Sequence, residues 1–431
     1  MKATTQSFCV GWLDFGEEDQ RRAREYLSQF NADNTLDELG FGILRDAFAD
    51  LFFPATNTIM TRTRYLIFIP ALCLAVEQER HSGAAAARRM TELENGLRIS
   101  LEAEEEHDII GKVAKESLRR YPSSIYWSAL RRLGIFLHKN WGLAYYQAHL
   151  AEFHASMNAE RDDDGLSHLN NPERRNWDKD LCDALADGHS FMNDKGTLPK
   201  SLKFTLRPHE ARYLRGKFND LARQDGRPSI LSHLLDLSHA EPFSYPWEVP
   251  LPSALTPYVT HARCFSMIAR GATLQYFHLL QREREARGIA KPAYDLSDIF
   301  ARWWEATRQE LANWQVDHFL ILAAGIHGLR RPNDTVFIRN WLKFSTESNT
   351  AHELLENGEA HALIRSRERT TRPSKSRLHH PEYLQRWKPP EPADIASIAG
   401  NANTLQFGLD YRAWIGSTFV QDIVGGLVGV R

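Results

Sequence analysis

The longest apolar run in the chain, Tyr65–Val76 (YLIFIPALCLAV), is twelve residues long and carries Pro70 near its middle. A bilayer takes about 20 consecutive apolar residues to span. The run is too short for that and is expected to be a buried core segment. A chain that hides such a segment needs a sizeable core around it. The 431 residues, 42% hydrophobic and 25% charged, can supply one. Eleven Trp and 22 Phe argue against wholesale disorder. The segment MKATTQSFCVGWLDFGEEDQ has no continuous apolar stretch and meets acid at Asp14, so it does not read as a secretory signal. Cys9, Cys73, Cys182 and Cys264 are far apart, with no CxxC pair, which argues against a zinc ribbon or a redox motif. Isolated buried thiols suit a reducing cytosol. The expectation is a soluble, cytoplasmic protein without a membrane span.

Helical periodicity dominates the rest. Glu17–Phe30, Asp37–Leu51 and Ala84–Glu105 carry apolar residues at helical spacing, and Pro54 stops the second of these. His209–Arg223 and Ser229–Leu237 follow, the latter with Ser229 as N-cap. Thr260–Arg287, Ser297–Asn313, Asp317–Gly328 and Asn401–Leu427 complete the helical set. Short strands are expected around 59–69, 135–138 and 201–206. The fold class is mainly α with a few short strands. Residues 1–154 read as a helical domain with a helix-turn-helix-like or winged-helix segment at 109–138. Residues 155–258 read as a middle region of polar and proline-rich connectors, with five prolines between 240 and 258. Residues 259–431 read as a helical C-terminal domain.

Charge is segregated along the chain. The formal net charge is only −2, which excludes a uniformly basic protein. Residues 1–106 nevertheless hold 11 Lys/Arg against 18 Asp/Glu, whereas 107–139 hold seven against two, and 361–388 eight against two. Three constellations follow. In the first, IIGKVAKESLRRYPSSIYWSALRRLGIFLH (109–138), Ile109–Arg119 reads as a basic helix and Arg120-Tyr121-Pro122 as a turn. Ser124–Leu133 reads as a second helix, Gly134 as its C′ residue and 135–137 as a wing strand. Docked in a major groove, Ser123, Ser124 and Ser128 would meet phosphates or base edges. Lys112, Lys115, Arg119, Arg120, Arg131 and Arg132 would neutralise phosphates. A plain helical hairpin fits the same spacing and is the commoner arrangement.

In the second constellation, TIMTRTRY (58–65), alternation predicts an extended segment with Arg62 and Arg64 on one side, able to grip a phosphate or carboxylate. A structural pair answering the acidic residues of 1–106 is the favoured alternative. In the third, LIRSRERTTRPSKSRLHHPEYLQRW, Arg365, Arg367, Arg369, Arg372, Lys375 and Arg377 are mixed with Tyr383 and Trp387. That mixture suits a nucleic-acid backbone with occasional base stacking, or equally a solvated surface loop.

The chain has no GxxxxGK[ST] loop, no HExxH and no GxSxG. The glycine-rich VGGLVGV at 424–430 is not followed by a helix. Asp162–Asp164 and the His107-Asp108 pair match no standard metal spacing, and neither do His352 and His361 with the glutamates between them. No cofactor or metal set is expected, and these patterns name no catalytic residue.

Five strings together resemble a family of bacterial proteins known only as a domain of unknown function. They are GWLDFGEEDQRRA (11–23), DELGFGILRDAFADLFFPATNTIMTRTRY (37–65), YPSSIYWSALRRLGI (121–135), HARCFSMIARGATLQY (261–276) and LDYRAWIGSTFVQDIVGGL (409–427). The resemblance covers nearly the whole chain. It implies a component of mobile or anti-phage defence gene clusters, found beside helicases and nucleases, and it brings no catalytic residues. The leading expectation is a non-catalytic DNA-binding, complex-forming accessory subunit with a helicase or nuclease as partner. The alternatives are a metal-dependent nuclease with carboxylates dispersed in sequence, and a protein-interaction scaffold without nucleic-acid affinity.

Overall fold

Pro70 does not break the apolar run. In the computed structural model it sits in the second turn of a helix, α2 (Tyr65–Gln78), and ten other residues of that helix are buried with it. The described residues are 38–159, 175–181, 192, 197–239, 241–292, 294–326, 332–389 and 409–429. The helix expected at 17–30, Cys9, Cys182 and Asp162–Asp164 lie outside them. The remaining helices are α1 (Gly42–Phe52), α3 (Gly83–Glu102), α4 (Pro122–Arg132), α5 (Leu143–Ala159), α6 (Pro208–Gln224), α7 (Ile230–Leu237) and α8 (Thr256–Ala286). They continue with α9 (Ser297–Ala312), α10 (Val316–Gly325), α11 (Pro332–Glu347), α12 (Ala351–Leu355), α13 (Gly358–Thr371), α14 (Pro381–Arg386) and α15 (Ala413–Val428). The mainly helical expectation holds. No helix among the described residues is long and apolar enough to cross a membrane.

The expected strands do not form. Among the described residues the single β feature is an antiparallel bridge between Phe136 and Trp177. Residues 65–69 are helical because the run is buried on every side, where apolar content alone does not separate strand from helix. At 201–206 the backbone finds partners outside any ladder: Leu202 N–H donates to the Ser100 carbonyl (2.9 Å) and Phe204 N–H to Glu106 Oε1 (2.9 Å). The helix expected at Ile109–Arg119 is replaced by turns and one short 3₁₀ segment, Lys115–Ser117. Asp108, Gly111 and Lys115 adopt positive φ there, which a right-handed helix does not tolerate. The helix-turn-helix pattern therefore keeps its second helix and loses its first.

The chain divides into two units, each gathered from separate stretches. One holds the described residues of Met1–Ile43, Met267–Asn313 and Arg331–Phe407; the other holds those of Leu44–Ser266, Trp314–Arg330 and Gly408–Arg431. In the second unit α2 packs on α3 and α4, α5 on α3 and α4, and α6 on α7 and α15. In the first, α9 packs on α11 and α12, and α11 on α13. Trp303 of α9 is fully buried there, and its indole N–H donates to the Met267 carbonyl (3.0 Å).

Gly271 lets that indole lie against α8. A Cβ at 271 would stand 1.9 Å from Trp303 Cζ2. Gly216, exposed in α6, meets nothing within 4 Å. Gly→Ala in an open helix position stabilises by about 0.5–1 kcal/mol, while overpacking a core costs about 1–3 kcal/mol. Gly271→Ala is thus expected to lower the melting temperature and Gly216→Ala to raise it, as read by thermal unfolding.

Candidate nucleic-acid interface

Helix α4 is set in place from both ends. Pro122 occupies its first turn, where a missing N–H costs nothing. The N-cap residue, Tyr121, makes no side-chain cap bond. The cap comes instead from α3: Ser123 N–H donates to Glu94 Oε1 at 2.6 Å. Glu94 is buried (4% exposed). Burial pushes its carboxyl up to about 7, with the Ser123 hydrogen bonds pulling the other way. At the far end Gly134 takes φ +64°, and the N–H groups of Gly134 and Ile135 return to the carbonyls of Arg131 and Leu130. That is the glycine-terminated helix end expected from the sequence.

One face of α4 is core. Ile125, Tyr126, Trp127, Ala129 and Leu130 are buried. Tyr126 Oη donates to the Arg62 carbonyl (2.9 Å) and accepts from Thr61 N–H (2.9 Å). The opposite face carries Ser124 and Ser128, both exposed, then Arg131 and Arg132, both half-buried. The spacing of four, then three or four, residues puts them in one stripe. Arg131 Nη1 donates to the Lys139 carbonyl (3.0 Å), which ties the stripe to the next segment. Arg132 faces Asp225 at 3.4 Å, with both side chains about a third exposed, so this pair holds the guanidinium weakly.

Beyond α4 the chain enters an aromatic cluster. Trp127, Phe136, Tyr146 and Trp177 pack with ring centroids 4.6–6.0 Å apart. Glu77 Oε1 accepts from Tyr146 Oη (2.5 Å), Trp177 Nε1 (2.9 Å) and Asn176 Nδ2 (3.0 Å). Burial raises the Glu77 carboxyl, and these three donors oppose the rise. Asn176 Oδ1 also lies 3.0 Å from His138 Nε2, and Trp127 Nε1 donates to the Trp141 carbonyl (2.9 Å). The loop 137–142 is thus pinned to the core from two sides.

On its outer side this pinned loop and the start of α5 present four rings. His138 stacks on Trp141 (4.0 Å, 12°), and Tyr145 stacks on His149 (3.6 Å, 21°). Trp141 joins the two pairs, 5.0 Å from Tyr145 and 5.6 Å from His149. Tyr145 is 47% exposed, its neighbour Tyr146 only 2%. Lys139 is exposed within the loop. From Leu137 to Ala151 there is no Asp or Glu. These rings escaped the sequence reading. The signal for them was present, since Trp141, Tyr145 and His149 recur at spacing four.

The basic residues singled out from the sequence fall into two groups. Lys112, Lys115, Arg119, Ser124, Ser128, Arg369 and Lys375 are exposed, and Arg120, Arg131 and Arg132 half-buried. Arg131 and Arg132 also bond within the fold, to the Lys139 carbonyl and Asp225, and the others are held by carboxyl groups. Ser123 is buried on Glu94. Arg64, 5% exposed, pairs with Glu210 (2.9 Å) and donates to the Lys203 carbonyl (2.7 Å). Arg62 pairs with Asp422 (2.6 Å). The favoured structural reading of these two arginines therefore fits, but their carboxylates come from α6 and α15 and not from residues 1–106. In the other unit Arg365 meets Glu283 (2.5 Å), Arg367 meets Asp334 (2.6 Å), and Arg372 and Arg377 converge on Glu38. Beside them Glu368, fully buried, accepts from Tyr276 Oη, Ser376 Oγ and the N–H groups of Arg377 and Leu378. Among the described residues no group of three His, Cys, Asp or Glu is placed to hold a metal ion.

One family model matches the chain, over residues 7–394, and it describes a family of unknown function, DUF6361. No curated protein and no solved structure matches.

The two groups of basic residues should separate by experiment. Arg64→Ala strands the buried Glu210 carboxylate and is expected to cost about 3–5 kcal/mol in denaturant unfolding, while Arg369→Ala should stay within about 0.5 kcal/mol of the parent. Glu94 adds a pH signature. Its folded carboxyl titrates near 7, above the ordinary 4.5, so the folded state holds a proton that the unfolded chain has lost in between. The stability it contributes is full below about 4.5 and falls as pH rises to about 7. Glu94→Gln removes that term and keeps an acceptor for Ser123. The variant should lose less stability than the parent between pH 4.5 and pH 8, measured by urea unfolding at both.

Proposed function

We propose that the chain, which belongs to the DUF6361 family, is a non-catalytic DNA-binding, complex-forming accessory subunit that meets nucleic acid with the outer face of α4 and the loop that follows it. The observation that carries this reading is the outer stripe of α4, exposed Ser124 and Ser128 with half-buried Arg131 and Arg132, continued by exposed Lys139 into a segment without acids. Hydroxyls and guanidinium groups on one exposed helix face are the donors that phosphates use, and they position a strand without reading its sequence. Lys112, Lys115 and Arg119, exposed ahead of α4, add positive charge on the same side of the sequence. The setting proposed for it, from the resemblance described above, is an anti-phage defence cluster in which a helicase or nuclease supplies the chemistry.

Titrating salt against affinity tests the reading. Log K falls with log salt by about 0.9 per phosphate neutralised on duplex DNA and about 0.7 on single strands. The protein should bind DNA with a slope of several phosphates. Arg131→Glu with Arg132→Glu should weaken binding and flatten the slope by roughly one to two such increments, with the melting temperature within a few degrees of the parent. An unchanged slope would move the contact away from α4. Absence of binding at low salt would end the nucleic-acid reading.

A further inference from the structure

We infer that the ring cluster His138, Trp141, Tyr145 and His149 is a stacking platform for unpaired bases, so that the DNA this surface takes is single-stranded. The inference rests on the nucleic-acid reading above and names its substrate. Paired bases keep their faces inside the duplex and cannot lie on side-chain rings, whereas a single strand offers one π-face per nucleotide. The cluster suits that role in three respects. Its rings are already paired face to face, His138 on Trp141 and Tyr145 on His149, so a base added to an outer face continues a stack without new ordering. Tyr145, the outermost ring at 47% exposure, has no core role of its own, because Tyr146 beside it fills the core position. The platform is also rigid: the Asn176–His138 hydrogen bond and the Trp127 donation to the Trp141 carbonyl hold the loop.

Charge complementarity chooses the occupant. Lys139 follows His138 and precedes Trp141 in the loop, and Arg131 donates to its carbonyl. No carboxylate lies within residues 137–151, and the first beyond them, exposed Glu152, faces His149 Nε2 at 3.9 Å. A partner protein with an acidic face would gain from the cations but not from four stacked rings, and an apolar partner would have to bury Lys139. A phosphodiester chain that carries flat bases satisfies both.

The test compares fluorescein-labelled oligothymidine, the matching hairpin duplex and oligouridine by polarisation, at several salt concentrations. Single-stranded DNA should bind at least tenfold more tightly than duplex. Tyr145→Ser should weaken single-strand binding by roughly 5- to 150-fold, the range for losing one stacked base, and Tyr145→Phe should retain it. The salt slope should not move in either variant, since no phosphate contact is lost. Trp141→Phe, which keeps a ring, should bind like the parent, and unchanged circular dichroism would show that each variant is folded. Equal affinity for duplex and single strands, with Tyr145→Ser silent and the Arg131/Arg132 variant weakened, would overturn the platform while leaving the nucleic-acid reading intact. Preferred binding of oligouridine would overturn the DNA assignment. Failure of all three probes at low salt would remove the underlying reading, and the inference with it.

Discussion

A carboxyl group buried at the head of α4 is the constraint on which the outer face of that helix depends, and its energetics explain the layout around it. Taking an ionised carboxyl out of water is expensive unless donors replace the water. Glu94 has one short amide donor and responds by holding its proton to about pH 7. The amide is one of the orphan donors that every helix start exposes. One contact therefore meets two needs: it caps α4, which lacks a local cap, and it fixes the helix against α3. Once the N-terminus is held and Gly134 turns the chain at the other end, the buried and exposed faces of α4 are decided. The serine and arginine stripe can only look outward.

The same economy recurs at Glu77 and Glu368. Glu77 is met by three donors 69 to 100 residues away, and the fully buried Glu368 by four, from Tyr276 and the nearby residues 376–378. Such nodes are high-stakes because a missing donor leaves a charge unpaired at low dielectric. They also rigidify. Asn176 answers Glu77 with its amide nitrogen and His138 with its oxygen. The outer ring loop is thereby wired to a buried acid through one side chain.

Helices α3, α6, α7 and α9 were legible from the sequence, with bounds within a few residues of those expected, whereas α5, α11 and α13 were not expected. The readings failed where local pattern and tertiary context disagree. Residues 59–69 looked extended because Thr and Arg alternate, yet the alternation is incidental: the two arginines serve different carboxylates, 360 and 146 residues away. No local signal reports such pairings. Residues 109–119 had helical spacing but include Gly111, and left-handed geometry at 108, 111 and 115 ends the pattern. The aromatic platform was missed for another reason. Spacing four among large rings more often marks a core stripe, and what turns Trp141, Tyr145 and His149 outward is Tyr146, which sits on the inward face.

Sorting the cations by partner also changes what the charge runs mean. In 361–388 the arginines that meet carboxylates are the ones a planar, five-donor group suits, since a buried acid needs several donors fixed in geometry. Arg367 shows this: it reaches Asp334, the Leu39 carbonyl and the Gly40 carbonyl at once. Half of the cations of this run, Arg365, Arg367, Arg372 and Arg377, are paired within the fold, so its net charge overstates what solvent or a ligand can feel. The α4 stripe has less charge, and its two arginines are half-buried, but it lies in the same unit as the ring cluster. A phosphate contact weakens as salt rises, whereas a stacking contact does not. Under the proposed function, a surface that joined both would retain hold of a strand at salt concentrations where cations alone would release it.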